Sequence, residues 1–206
     1  LQKVIHKCIH RNQYGFLKCR SIQNCLAWCF EYIHQCKASK RPIVLLKLDF
    51  TKAFDTIEHD AILTILKQKG FDDHWNGWVS NLLSSGSSSV LLNGVPGQHF
   101  QCKCGVRQGD PLSPLLFVIA VDLLQSVIND MCARNILSLP IPTRSTDYPI
   151  VQYADDTLIV LPAVDSQLIA LKDMLHNFAA STGLRVNFSK SSLIPMNMYE
   201  EEDARI

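Results

Sequence analysis

"PIVQYADDTLIVLP", residues 149 to 162, decides the fold. Apolar positions on both sides require a packed sheet, yet the centre holds two adjacent carboxylates, Asp155 and Asp156. Aspartate is depleted in strands and almost never buried without a partner. The stretch therefore reads as two short strands around a tight turn, with the acid pair in the turn, beside a cation, or both.

Working outward, "PIVLLKLDF" (42 to 50) is a near-continuous apolar run after a proline, the pattern of a buried central strand ending in Asp49. In "FDTIEHDAILTILKQKG" (54 to 70), Asp55 with Glu58 resembles a capping box. Ala61, Ile62, Ile65 and Leu66 form a helical stripe, and Gly70 stops it. Residues 74 to 85 read as a further helix, and 87 to 104 as a hairpin around "NGVPG" (93 to 97). "GDPLSPLLFVIAVDLLQSVINDMC" (109 to 132) reads as one long helix capped by Asp110, with Pro111 at its first position. Its expected buried face is Leu112, Leu115, Leu116, Ile119, Leu123 and Val127. A polar loop over 134 to 148, a helix over 165 to 183 and a last strand over 184 to 192 complete the chain. Residues 1 to 10 and 21 to 37 read as helices broken at 12 to 15. The order strand, helix, strand, turn, strand, helix, strand is the split βαβ arrangement, an α+β class. Such a sheet carries helices on one face and leaves the other for a ligand, with the turn at Ala154 to Asp156 beside the end of the first strand, at Asp49.

The chain has 206 residues, 47% apolar and 19% charged, with a net charge of +1, which is globular composition. Residues 1 to 47 carry nine Lys or Arg against Glu31 alone, leaving 11 bases and 18 acids beyond. A basic front before an acidic remainder fits a phosphate-facing lobe beside a metal-binding one, or a merely solvated basic surface. The eight cysteines form no CxxC pair and no zinc spacing, and read as reduced, buried thiols. The run from 115 to 124 is too short to span a bilayer and contains Asp122, so no membrane is expected. The opening "LQKVIHKCIH" (1 to 10), without an initiator Met, leads to the expectation of a piece of a longer protein.

Three carboxylates at adjacent strand ends repel one another unless cations neutralise them. Hard oxygen ligands without His or Cys suit Mg²⁺, which takes one or two carboxylates and leaves its other positions to water and phosphates. Two such ions support in-line phosphoryl or nucleotidyl transfer.

Five stretches together carry a family resemblance: "YGFLKCRSIQ" (14 to 23), "LDFTKAFD" (48 to 55), "GVRQGDPLSPLLF" (105 to 117), "YADD" (153 to 156) and "GLRVNFSKS" (183 to 191). In this order they resemble the motifs of reverse transcriptases, in the wording of non-LTR (LINE-type) retrotransposons, most like plant elements. The resemblance spans about residues 12 to 195 and implies a reverse-transcriptase palm. Residues 1 to 42 would be partial fingers and 43 to 206 the palm, with a fingers segment around 84 to 106 and no thumb.

The resemblance implies roles. Asp49 and Asp155 would be the main metal ligands, Asp156 the third carboxylate, and the Phe50 carbonyl a further ligand, for two Mg²⁺ ions or Mn²⁺ in substitution. Phe54 matches the aromatic gate that excludes a 2′-hydroxyl. Gln108 and Gly109 match the contacts to the incoming nucleotide. Lys18 and Arg20 match the basic pair that holds the triphosphate. Lys190 matches the proton donor to departing pyrophosphate. Tyr153 and Ala154 would line the primer end. Arg107 would support the template side or pack against Asp110. Cys19 stands where the family has Gly, which raises the question of its backbone conformation.

The expected activity is RNA-directed DNA polymerisation with an RNA template, a DNA primer and dNTPs, within a longer retrotransposon polyprotein, nuclear or cytoplasmic. The alternative is a noncatalytic nucleic-acid-binding remnant. An RRM-like module shares the topology, but "IVLLKLDF" and "RVNF" lack its exposed aromatics.

Overall fold

The computed structural model describes residues 1–142 and 147–198, so the acidic tail at 200 to 206 lies outside the described residues. Where a helix was expected over residues 1 to 10, the chain makes a single 3₁₀ turn, Ile5–Lys7, which buries Ile5. Helix α1 (Ile22–Ser39) starts at Ser21, whose side chain accepts from the Asn24 N–H. Strand β1 (Ile43–Leu48) is followed by the short α2 (Ala53–Thr56) and by α3 (His59–Gln68). Glu58 is the cap residue of α3 but makes no side-chain cap bond, so the expected capping box does not form. Its main-chain N–H goes instead to the Thr182 carbonyl. Helix α4 (Asp73–Ser84) is capped by Asp72. The expected hairpin follows as two short pairs, β2 (Ser87–Ser88) with β5 (Phe100–Gln101) and β3 (Leu91–Leu92) with β4 (Val95–Pro96). Asn93 and Gly94, both at positive φ, make its turn.

The long helix over 109 to 132 is two segments, α5 (Ser113–Val121) and α6 (Leu123–Ala133), with Leu112 rather than Asp110 at its start. Asp110 accepts from the Leu112 N–H, which holds the entry turn. Residues 115 to 121 are buried all round, while α6 buries Leu124, Ile128 and Met131 rather than the expected Leu123 and Val127. The joint falls at Asp122, whose buried carboxylate accepts from Lys69 Nζ at 2.7 Å and from the His10 N–H at 2.8 Å. Ser113–Ala133 is long and apolar enough to cross a membrane by length and composition. Its first half is enclosed by the other core elements, and an apolar helix enclosed in that way is a core helix.

Strands β6 (Ile150–Tyr153) and β7 (Asp156–Pro162) flank the acid turn, α7 (Asp165–Thr182) ends at left-handed Gly183, and β8 (Ser192–Met196) closes the sheet. The last strand thus begins where it was expected to end. Within 184 to 191 the chain makes one bridge, Phe50 to Val186, before turning at 187 to 190. The sheet order is β6-β7-β1-β8, all antiparallel, which is the split βαβ arrangement.

One face of this sheet, with Leu46, Leu48, Ile159 and Leu161, packs on α3, α5 and α7 in the main core. The opposite face is not wholly free. Ile43, Leu45 and Val160 are covered by Tyr32, Ile33 and Cys36 of α1. β1 is apolar on both faces at its start and needs two covers there; toward its end Lys47 replaces an apolar residue, and the second face opens. Of the eight free cysteines only Cys25 and Cys36 are buried, and Cys19 and Cys104 are exposed.

Candidate active site

The open part of the second face lies at the Asp49 end of β1. Lys47 points there, and Asp156 lies 3.6 Å from its Nζ, both side chains more than half exposed. Asp49 is held on its outer side by the returning 185 to 191 segment. Its N–H donates to Ser191 Oγ at 3.1 Å, and its carbonyl accepts from the Asn187 N–H at 2.8 Å. These bonds and that from Thr51 N–H to the Arg185 carbonyl use the Asp49 and Arg185 oxygens and not the Phe50 carbonyl. Lys190 is exposed at the end of the same turn.

The acid turn is a two-residue connection in which Ala154 adopts φ 57 and is buried. A left-handed non-glycine residue costs roughly 1–2 kcal/mol and needs outside support. The support comes from Gln13, fully buried. Its Oε1 accepts from the Ala154 N–H at 3.0 Å and the Gly15 N–H at 2.8 Å, and its Nε2 donates to the Ala154 carbonyl at 3.3 Å. Gly15 lies so close that an added Cβ would stand 2.3 Å from the Ala154 nitrogen. The Tyr14 N–H donates to the Gln152 carbonyl and the Gln152 N–H to the Asn12 carbonyl, so residues 12 to 14 run along β6 as a parallel edge. Gln13 was not singled out from sequence. The break at 12 to 15 was the available signal, because a loop that carries a buried glutamine must be bonding something.

Burial pushes the Asp155 carboxyl up from the ordinary aspartate range, opposed by a hydrogen bond to its own backbone and reinforced by the charges of Asp156 and Asp49. All three acids therefore lie within electrostatic reach. Among the described residues no three His, Cys, Asp or Glu side chains form a ready-made cage. The donors at hand, carboxylate and carbonyl oxygens without His or Cys, are of the kind a hard divalent cation takes, with water and phosphate oxygens completing its shell.

The ring of Phe54 stacks on Phe117 at 4.2 Å and meets Phe16 edge-on at 6.2 Å. The Phe54 carbonyl accepts from the Val106 N–H at 2.7 Å, which brings the 105 to 109 segment alongside α2. Gln108 Nε2 reaches Asp55 Oδ1 at 3.3 Å. Gly109 sits at φ 90 in open space, so its left-handed turn and not crowding is what suits glycine there. Arg107 does not pair with Asp110; its guanidinium donates to the Ser85 carbonyl at 3.0 Å. Arg107, Gln108 and Asp55 line a cavity of about 460 Å³ that does not include the three catalytic candidates Asp49, Asp155 and Asp156.

Lys18 is exposed. Arg20 departs from the expectation of a free phosphate ligand, because its guanidinium is turned onto the carbonyls of Ile9, His10 and Gln13. It fastens the loop that carries Gln13. Cys19 is not at positive φ, so the replacement of a family glycine there brings no backbone strain.

A family model described as reverse transcriptase (RNA-dependent DNA polymerase) matches residues 1–199. The chain is 29% identical over 164 residues to the Pol polyprotein of the type-1 retrotransposable element R2 of Popillia japonica, covering 78% of this chain and 22% of that protein. It is 26% identical over 194 residues to the 149 kDa protein of transposon TX1 of Xenopus laevis, covering 93% of this chain and 14% of that one. It is also 30% identical over 151 residues to the Pol polyprotein of R2DM of Drosophila melanogaster, covering 73% and 13%. The chain thus spans less than a quarter of these relatives. All three are animal proteins, and the expected likeness to plant elements finds no support. Apo telomerase from Candida tropicalis superposes with a TM-score of 0.70 at 15% identity, covering 97% of this chain and 39% of that one, which shows a shared fold.

Proposed function

Because the chain belongs to the reverse transcriptase (RNA-dependent DNA polymerase) family, we propose that it is the nucleotide-adding core of a LINE-type retrotransposon polymerase, extending a DNA primer with dNTPs on an RNA template. The observation that carries this reading is the meeting of Asp49 and Asp155, remote in sequence, within electrostatic reach at the open end of one sheet face. Enzymes of this family work with divalent metal ions. Here Asp49, Asp155 and the Phe50 carbonyl would hold two Mg²⁺ ions, or Mn²⁺ in their place, with Asp156 at the primer side. When bound, such ions lower the charge barrier to attack of a primer 3′-hydroxyl on the α-phosphorus of a dNTP.

The chain's own residues do the rest. Gln13 fixes the turn that aims Asp155. Phe54, braced by Phe117, presents its ring to the sugar and excludes a 2′-hydroxyl. Gln108 and the Gly109 turn receive the nucleotide. Tyr153 and Ala154 face the primer end, and Arg107 supports the template side through Ser85. Lys18 contacts the triphosphate as a charge-assisted donor; Arg20 holds the loop that carries Gln13. Lys190 gives a proton to pyrophosphate as it departs. Primer extension by this chain with Mg²⁺ tests the reading, with Asp155→Ala/Asp156→Ala as control. Extension that the control abolishes is expected. Binding of template–primer without any extension, even with a thumb domain appended, would favour the noncatalytic remnant.

A further inference from the structure

A second cavity, of about 320 Å³, lies between α1, the 11 to 14 segment and the chain entering β6. The polymerase reading uses none of its features. Trp28 and Tyr32, one turn apart on α1, lie parallel, 4° between planes and 4.9 Å between centroids. Tyr14 and Tyr148 add two further aromatic walls. The Tyr148 hydroxyl is already committed to the Ser138 carbonyl. The Tyr32 hydroxyl is buried and has no hydrogen-bond partner among the described residues. That hydroxyl is closed to solvent, so the cavity is offered the ring of Tyr32 and not its oxygen. Arg11, paired with Asp147 at 2.8 Å, stands at the rim with its side chain 65% exposed.

We propose that this cavity binds an unpaired nucleobase of a single-stranded nucleic acid. Flat aromatic faces receive the base, and Arg11 at the rim attracts the adjoining phosphate. The volume suits a ligand of base size with some water. Position argues for a strand rather than a free small molecule. The same 12 to 14 segment that lines the cavity bonds β6 two residues before Ala154, so the cavity and the acid turn share one bordering segment. The cavity is built in part from the first 47 residues, which carry nine Lys or Arg against Glu31 alone, a balance that favours phosphates. That the strand is the unpaired part of a template rests on the polymerase reading; the affinity for a base does not.

The test is a titration in EDTA of the Trp75→Phe/Trp78→Phe chain, in which Trp28 is the remaining indole. The probes are 12-residue oligo(U), oligo(dT) and an abasic 12-mer of equal charge. Saturable quenching by the first two, and weaker binding of the abasic strand, is expected. Oligo(U) binding read by anisotropy should weaken about 5- to 150-fold with Trp28→Leu. Quenching by the abasic strand as strong as by oligo(U), or unchanged affinity in Trp28→Leu with intact far-UV circular dichroism, overturns the proposal. Loss of primer extension while these binding results hold would count against the polymerase reading alone.

Discussion

Gln13→Met removes the support of the acid turn while keeping side-chain length and shape. The change withdraws the acceptor of the Gly15 and Ala154 N–H groups, at 2.8 and 3.0 Å, and the donor to the Ala154 carbonyl at 3.3 Å. The long third bond contributes little. Each buried donor left without a partner costs about 1–3 kcal/mol, so two orphaned N–H groups cost about 2–4 kcal/mol, allowing for partial relaxation. For a chain of this size that lowers the melting temperature by roughly 4–16 °C. The left-handed Ala154 then relaxes, because the strain it carries is no longer opposed, and Asp155 moves with it. Single-nucleotide addition, measured well below the melting midpoint, should show kcat reduced at least about tenfold. The KM for dNTP should stay within about twofold, since Phe54 and Gln108 sit on other elements. Calorimetry and rapid-quench kinetics on the same preparation read both quantities. An unchanged melting temperature would refute the energetic argument. A lowered one with unchanged kcat would refute the link from Gln13 to Asp155.

Other perturbations separate the remaining parts of the site. Asp155→Asn keeps the size of the side chain and should reduce extension by about three orders of magnitude, with little change in circular dichroism. Asp155 has a folded-state pKa above its unfolded value, so its stability contribution is full below the unfolded pKa and lost as pH rises through the folded one. Mg²⁺ should therefore raise the melting temperature more at pH 7 than at pH 5, and Asp156→Asn should move the acid limb of the extension profile to lower pH by removing one repelling charge. Lys69→Met leaves the buried Asp122 carboxylate without its cation and should cost about 3–5 kcal/mol in urea unfolding. Adding Asp122→Asn should recover most of that loss. Phe54→Val should raise incorporation of rNTPs relative to dNTPs; unchanged sugar discrimination would remove the gate role.

The strands and their order were legible because β1, β6 and β7 are apolar runs punctuated by turn residues, and because a split βαβ order admits few topologies. The acid turn was legible for the same reason: adjacent aspartates cannot remain inside an apolar run except at a turn. What the sequence left open was decided by contacts between distant segments. The capping box at Asp55 and Glu58 gave way because the Glu58 N–H found the Thr182 carbonyl. The helix through Asp122 broke where a buried carboxylate needed Lys69 and His10. The family resemblance casts Arg20 as a phosphate ligand, yet its guanidinium is bonded to three loop carbonyls. Gln13 is marked in the sequence only by the helix break at 12 to 15. Its importance arises only when residues 12 to 15 pack against a turn more than half the chain away. Local pattern sets which segments pair and where charge must gather; which polar group satisfies which is fixed only when burial removes water as the alternative partner.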